Sequence, residues 1–181
     1  MNADTAEILL TPEQIAERVG ELGRQISSDY EGKDLLLVGI LKGAFVFLAD
    51  LVRNISIPLT LDFVAISSYR SSTESGGIVK VVKDLDCEVE DRHVLIVEDI
   101  VDTGWTLKMS YLADNLHARK AASVRVCTLL DKPDRRQVEV DLDYVGFRIP
   151  NKFVVGYGLD FNGLHRNLPF IGVLKEDAHR E

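Results

Sequence analysis

The sequence predicts an α/β fold: a mainly parallel, twisted sheet flanked by helices. Three observations carry the prediction. Short apolar runs of strand length recur along the chain, as at Leu35–Leu41 and Val94–Val97. Segments with helical apolar spacing alternate with them, as in Ile15, Val19, Leu22 and Ile26. Finally, the runs are apolar throughout rather than alternating, which suits strands covered on both faces. A length of 181 residues fits one domain, taken as 1–181.

The elements follow in order. Thr11-Pro12-Glu13-Gln14 reads as a helix start, with Thr as N-cap, Pro in the first turn and Gln three residues after the cap. That helix is expected to end near Gly32. Leu35–Leu41 reads as a buried strand broken by Lys42-Gly43, and Ala44 to Val52 as a second helix. Leu59 to Ile66 reads as a strand. Ser67 to Gly77, with little to bury besides Tyr69, reads as a mobile loop or hairpin tip. Ile78 to Val82 returns to strand character, and Asp84 to Asp91 is an acidic turn. Val94–Val97 is the strongest strand signal, followed by a helix from Thr106 to His117. Val124 to Leu130, Tyr144 to Phe147 and Phe153 to Tyr157 complete the strands.

Composition excludes several functions. With 21 Lys+Arg against 29 Asp+Glu the net charge is −8, which disfavours a general grip on nucleic acid. No apolar stretch reaches the ~18 residues of a membrane span. The first residues lack a basic region followed by an apolar run, so no signal peptide is expected. Cys87 and Cys127 are far apart, with no Cys or His at ligand spacing. They are read as free thiols of a cytoplasmic protein.

The chemistry concentrates behind the strongest strand. Glu98-Asp99-Ile100-Val101-Asp102-Thr103-Gly104-Trp105-Thr106 places three acids before a Thr-Gly-x-Thr turn that opens a helix. Such a turn exposes unpaired backbone N–H groups, and with the helix dipole they suit a phosphate. Thr103 and Thr106 add hydroxyl donors, while Glu98 and Asp99 can accept from sugar hydroxyls or hold a hydrated divalent ion. Residues at the carboxyl ends of parallel strands are where ligands bind in this fold class. Read without context, Asp102 could also be a plain N-cap and the acid pair a solvated strand end.

This segment resembles the 5-phosphoribosyl 1-pyrophosphate motif of type I phosphoribosyltransferases. Leu41-Lys42-Gly43, Ser68-Tyr69, Leu130-Asp131-Lys132, Val145–Pro150 and Lys152–Asp160 resemble the hypoxanthine-guanine members in order and spacing, with Arg166 following at the family's distance. The resemblance covers about residues 7–175. It implies that family's fold, with a small hood built from the N- and C-terminal segments and a flexible lid near 67–77. It also implies transfer of a phosphoribosyl group to N9 of hypoxanthine or guanine, with Mg²⁺, in a homodimer or homotetramer.

The resemblance also implies residue roles. Glu98 and Asp99 would contact ribose, and Asp102, Thr103, Gly104, Trp105 and Thr106 the 5′-phosphate, with Asp102 as catalytic acid or base. Leu41, Lys42, Gly43, Ser68, Tyr69 and Arg166 would face pyrophosphate, and relatives have a cis peptide at Leu41-Lys42. Ile100, Lys132, Phe153, Val154 and Asp160 would line the purine site, and Glu98, Asp99 and Asp160 would serve Mg²⁺. Several relatives carry Lys where this chain has Trp105, so a cation beside the phosphate is absent here. Two alternatives stand beside this reading: a xanthine-preferring relative, and a nucleic-acid-binding regulator on the same fold. The net charge disfavours the regulator, as does the presence of both Asp102 and Lys132.

Overall fold

The computed structural model of the chain describes residues 5–69, 78–102, 105–135 and 141–175. Helix α1 (Pro12–Asp29) starts as the sequence predicts. The Thr11 hydroxyl accepts from the Gln14 N–H, and the Gln14 side chain accepts from the Thr11 N–H. It stops at Asp29, short of Gly32. Ile15, Val19, Leu22 and Ile26 are all buried, so the helical spacing marks the buried face.

Strand β1 (Thr5–Leu10) precedes α1. Then come β2 (Leu35–Leu41), α2 (Phe45–Asn54), β3 (Leu59–Tyr69), β4 (Ile78–Lys83), β5 (His93–Val101), α3 (Trp105–Ala118) and β6 (Ser123–Asp131). A 3₁₀ turn (Pro133–Arg135), β7 (Tyr144–Arg148), β8 (Val154–Val155) and β9 (Ile171–Leu174) complete the order. The main sheet runs β4-β3-β2-β5-β6-β7 and is parallel except for β4 at one edge. Strands β1, β9 and β8 form a separate antiparallel sheet that joins the two ends of the chain, the hood that the resemblance implies.

The central strands are apolar on both faces because both faces are covered. Leu35, Leu37, Leu95 and Val97 pack with Ile15, Leu22, Phe47 and Leu51 of α1 and α2. Leu36, Val38, Val94 and Ile96 pack with Met109, Leu112 and Leu116 of α3. Among the described residues no helix is long and apolar enough to cross a membrane. Cys87 and Cys127 are free thiols.

Three sequence expectations are corrected. Ser67, Ser68 and Tyr69 belong to β3, paired with β4, rather than to a loop; the ladder continues past the apolar residues. The expected acids at the end of β5 lie inside it, since the strand continues to Val101. Of Phe153 to Tyr157 only Val154–Val155 is strand, and it pairs in the small sheet. Beyond it Gly156, Tyr157 and Gly158 all take positive φ, of 100°, 51° and 101°, which an extended strand cannot hold.

One buried acid had no sequence signal. Asp62 on β3 is 8% exposed and accepts from the N–H groups of Phe63, Asp86 and Cys87, with Lys83 beside it. Burial alone would push its carboxyl up. The backbone donors outweigh burial and hold it at about 2. A carboxyl depressed from its usual value near 3.8 adds stability that is present above that value and lost as pH falls through about 2. The expected result is that Asp62→Asn is less stable than the wild type by about 2 kcal/mol at pH 6. The gap should close between pH 4 and pH 2, as read by denaturant unfolding across that range.

Candidate functional site

The sheet order places a topological switch between β2 and β5. From β2 the chain steps outward to β3 and β4 on one side, and from β5 to β6 and β7 on the other. In such sheets the crevice beyond the carboxyl ends at the switch is the ligand site. Leu41 ends β2 there with Lys42-Gly43 after it, and Glu98 to Val101 ends β5 beside it, with Asp102 just beyond. The motifs singled out from sequence are thus brought to one end of the sheet by topology.

The turn after β2 is tightly built. The Leu41–Lys42 peptide is cis, as the resemblance implies. Lys42 is exposed and its carbonyl accepts from the Phe45 N–H at 3.3 Å. A Cβ on Gly43 would lie 1.7 Å from Asp99 Oδ2, so the turn rests directly on that carboxyl. From the other side, Gly158 approaches so closely that its own Cβ would meet the Gly43 carbonyl oxygen at 2.2 Å. Gly43 is a wedge between the acid strand and the segment carrying Asp160.

Asp99 is therefore not open at a strand end. It is 8% exposed, and its Oδ1 accepts from the Ile100 N–H at 2.8 Å. Burial pushes its carboxyl above the usual range, opposed by a hydrogen bond with Glu98, by the Ile100 N–H and by the Arg166 charge. Glu98 and Ile100 are half-buried, as is Asp102 just past Val101. Asp99 thus supports the turn from below, while Glu98 and Asp102 are the more accessible acids.

Lys132 sits next to Asp102. The β5–β6 register pairs Val101 with Asp131, and the Lys132 N–H donates to the Val101 carbonyl at 3.0 Å. Asp131 and Lys132 are both buried, 3% and 6% exposed. The backbone thus sets a lysine, which can only donate, and an acid, which can accept a proton, at adjacent strand ends.

The loop after β8 brings the remaining groups. Asp160 Oδ1 lies 2.6 Å from an Arg166 nitrogen, and its Oδ2 accepts from the Gly163 N–H at 2.7 Å. Arg166 also donates to the Gly158 carbonyl at 2.6 Å. Phe153 is 44% exposed, whereas Val154 is buried in register with Val173.

Among the described residues no three His, Cys, Asp or Glu side chains converge as a metal cage. Glu98, Asp99 and Asp160 thus do not form a preformed three-ligand site. Thr103 and Gly104 lie outside the described residues, as do the side chains of Ser68, Tyr69, Trp105 and Thr106. A cavity of about 510 Å³ between α1, α2 and the 157–169 segment is mostly apolar and includes only Arg166 of these groups.

Comparison with known proteins agrees with the geometry. The phosphoribosyl transferase domain family matches residues 5–162. A hypoxanthine-guanine phosphoribosyltransferase of Mycobacterium avium is 51% identical over 184 residues, covering 98% of this chain and 90% of its own length. The bifunctional protein TilS/HprT of Listeria monocytogenes is 49% identical over the whole of this chain, which spans only 28% of that longer protein. The crystal structure of a hypoxanthine phosphoribosyltransferase from Staphylococcus aureus superposes with a TM-score of 0.92 at 48% identity, covering 98% of this chain and 96% of that one. The switch-point crevice, its acids and these likenesses coincide along nearly the full chain, and the chain belongs to the phosphoribosyltransferase family, among its hypoxanthine-guanine members.

Proposed function

We propose that this chain transfers the 5-phosphoribosyl group of 5-phosphoribosyl 1-pyrophosphate to N9 of hypoxanthine or guanine, releasing pyrophosphate. The observation that carries the reading is the placement of Asp102 and Lys132 on neighbouring strand ends, joined by the Lys132 N–H to Val101 carbonyl bond. Lys132 can only donate, so it suits the 6-oxo group of these bases and mismatches the 6-amino group of adenine. Asp102 is within reach of the same base and takes the proton that the purine, at N7, gives up as N9 bonds to C1 of the ribose. The C1–pyrophosphate bond breaks in the same event. Glu98 accepts from the ribose hydroxyls, and its charge and that of Asp102 favour the positive character that develops at C1. Phe153, half-exposed, offers its ring to the base. Lys42 and Arg166 face the departing pyrophosphate.

Mg²⁺ fits the donor set as a shared rather than a caged ion. Hard carboxylate oxygens are present at Glu98 and at Asp160, whose side chain is 31% exposed. Mg²⁺ is commonly held by one or two carboxylates together with substrate phosphates and water. When bound, it would neutralise charge on the donor's pyrophosphate, which the acids here would otherwise repel. We read the protein as a cytoplasmic homo-oligomer acting on small molecules rather than on nucleic acid. The test is formation of nucleotide from guanine, the donor and Mg²⁺. Turnover that disappears with excess chelator and returns with added Mg²⁺ supports the reading, and turnover indifferent to chelation contradicts the shared ion.

A further inference from the structure

Resting on that reading, we propose that Phe161 is a positioning residue for the purine, setting the orientation of the Phe153 ring against which the base lies. The two rings meet edge-on, with centroids 5.6 Å apart and planes at 87°. That is the favoured T-shaped arrangement of aromatic pairs. Phe153 remains 44% exposed, so the contact leaves ring surface open to a ligand.

Both partners have fixed backbones. The Phe153 carbonyl accepts from the Leu174 N–H at 2.9 Å, which ties it to β9. Phe161 exchanges two backbone hydrogen bonds with Leu164, of 3.2 and 2.9 Å, closing a four-residue turn. Asn162 and Gly163 take positive φ within it, and the Gly163 N–H is held by Asp160. With both main chains pinned, the freedom left to Phe153 is rotation of its side chain. Phe161 is placed to restrict that rotation.

The position of Phe161 in the chain adds a consequence. It directly follows Asp160, whose carboxylate holds Arg166 at 2.6 Å. The short turn thus presents a donor-side carboxylate and a base-side ring from adjacent residues. A purely decorative aromatic pair on the surface would not need this rigid turn behind it.

The experiment compares wild type, Phe161→Ala and Phe161→Tyr by steady-state kinetics, varying guanine and donor separately. Phe161→Ala is expected to raise KM for guanine about 3- to 10-fold, the loss of one edge-to-face contact. KM for the donor and kcat should change less than about twofold. Phe161→Tyr keeps the ring and should restore the guanine KM. Phe161→Leu, which retains apolar volume without the ring, should raise the guanine KM as Phe161→Ala does, and replaces it if the alanine variant does not fold. An unchanged guanine KM overturns the role, as does an equal rise in both KM values, which would mark collapse of the Asp160 turn. Absence of turnover by the wild type with any 6-oxopurine overturns the proposed function itself.

Discussion

Asp102→Asn is expected to lower kcat by about 10²–10⁴ while leaving donor affinity within a few-fold of wild type. The substitution is nearly isosteric, and Asp102 is only half-buried just beyond the last residue of β5. Its packing cost is therefore small. What it removes is the ability to take a proton, since an amide nitrogen cannot replace a carboxylate oxygen as a base. In the proposed reading the donor's pyrophosphate is met elsewhere, by Lys42 in the turn after β2 and by Arg166. Kinetics with the donor varied, alongside calorimetric donor binding, separates the two effects. Equal losses in binding and turnover would show that Asp102 shapes the phosphate turn instead of moving a proton.

Gly43→Ala is the second large effect. Its Cβ would lie 1.7 Å from Asp99 Oδ2 and 2.5 Å from its Cγ, so one of the two must move. Asp99 cannot withdraw easily, because it is buried and held by the Ile100 N–H at 2.8 Å. The turn cannot lift easily either, because Gly158 packs closely on the Gly43 carbonyl. Displacement of about 1 Å in a positioning loop can cost about 10² in rate. Overpacking of this kind also destabilises by about 1–3 kcal/mol. Gly43→Ala is thus expected to lose at least about 10² in kcat/KM for the donor and to melt at a lower temperature. Gly20→Ala is the control. Gly20 lies within α1, its Cβ would find ordinary contacts at 3.5 Å with Arg24 and 3.6 Å with Asn54 of α2, and the variant should match or exceed wild-type stability.

Much of this site was legible because its chemistry is local in sequence. Glu98 to Thr106 is one contiguous segment, and the apolar run before it reads as a buried strand without knowledge of any partner. Thr11 and Gln14 announce α1 for the same reason. Features that depend on distant partners were not legible. Asp62 reads as an ordinary polar position in a strand until Asp86 and Cys87 arrive from beyond β4. Asp99 reads as one of an exposed acid pair until Gly43 closes over it. The apolar run at Phe153 to Tyr157 carries a strand signal, and the glycines that flank Tyr157 were the available warning. Tyr157 itself takes φ 51°, held by a hydrogen bond from its hydroxyl to Asp50 that no local pattern encodes. Phe161 gave no signal of its own beyond standing next to Asp160.

The neighbouring placement of Asp102 and Lys132 also explains how a net charge of −8 is compatible with a phosphorylated substrate. Of the chain's acids, Glu98, Asp99, Asp102 and Asp160 gather around the turn after β2, and Lys42, Lys132 and Arg166 stand near them. On the proposed function, selectivity for the base rests on Lys132, buried at 6% exposure and able only to donate. A site built around such a bond can reject a mismatched ligand by ~10⁴–10⁵. The direct test is a turnover assay of the wild type with donor and Mg²⁺, offering hypoxanthine, guanine, xanthine and adenine in turn. Rapid formation of the nucleotides of hypoxanthine and guanine, with adenine at least about 10³ slower in kcat/KM, is the expected result. Xanthine turned over faster than both would assign the chain to the xanthine-preferring alternative. Adenine used as well as guanine, or no base used at all, would contradict a site that reads the 6-oxo group through Lys132.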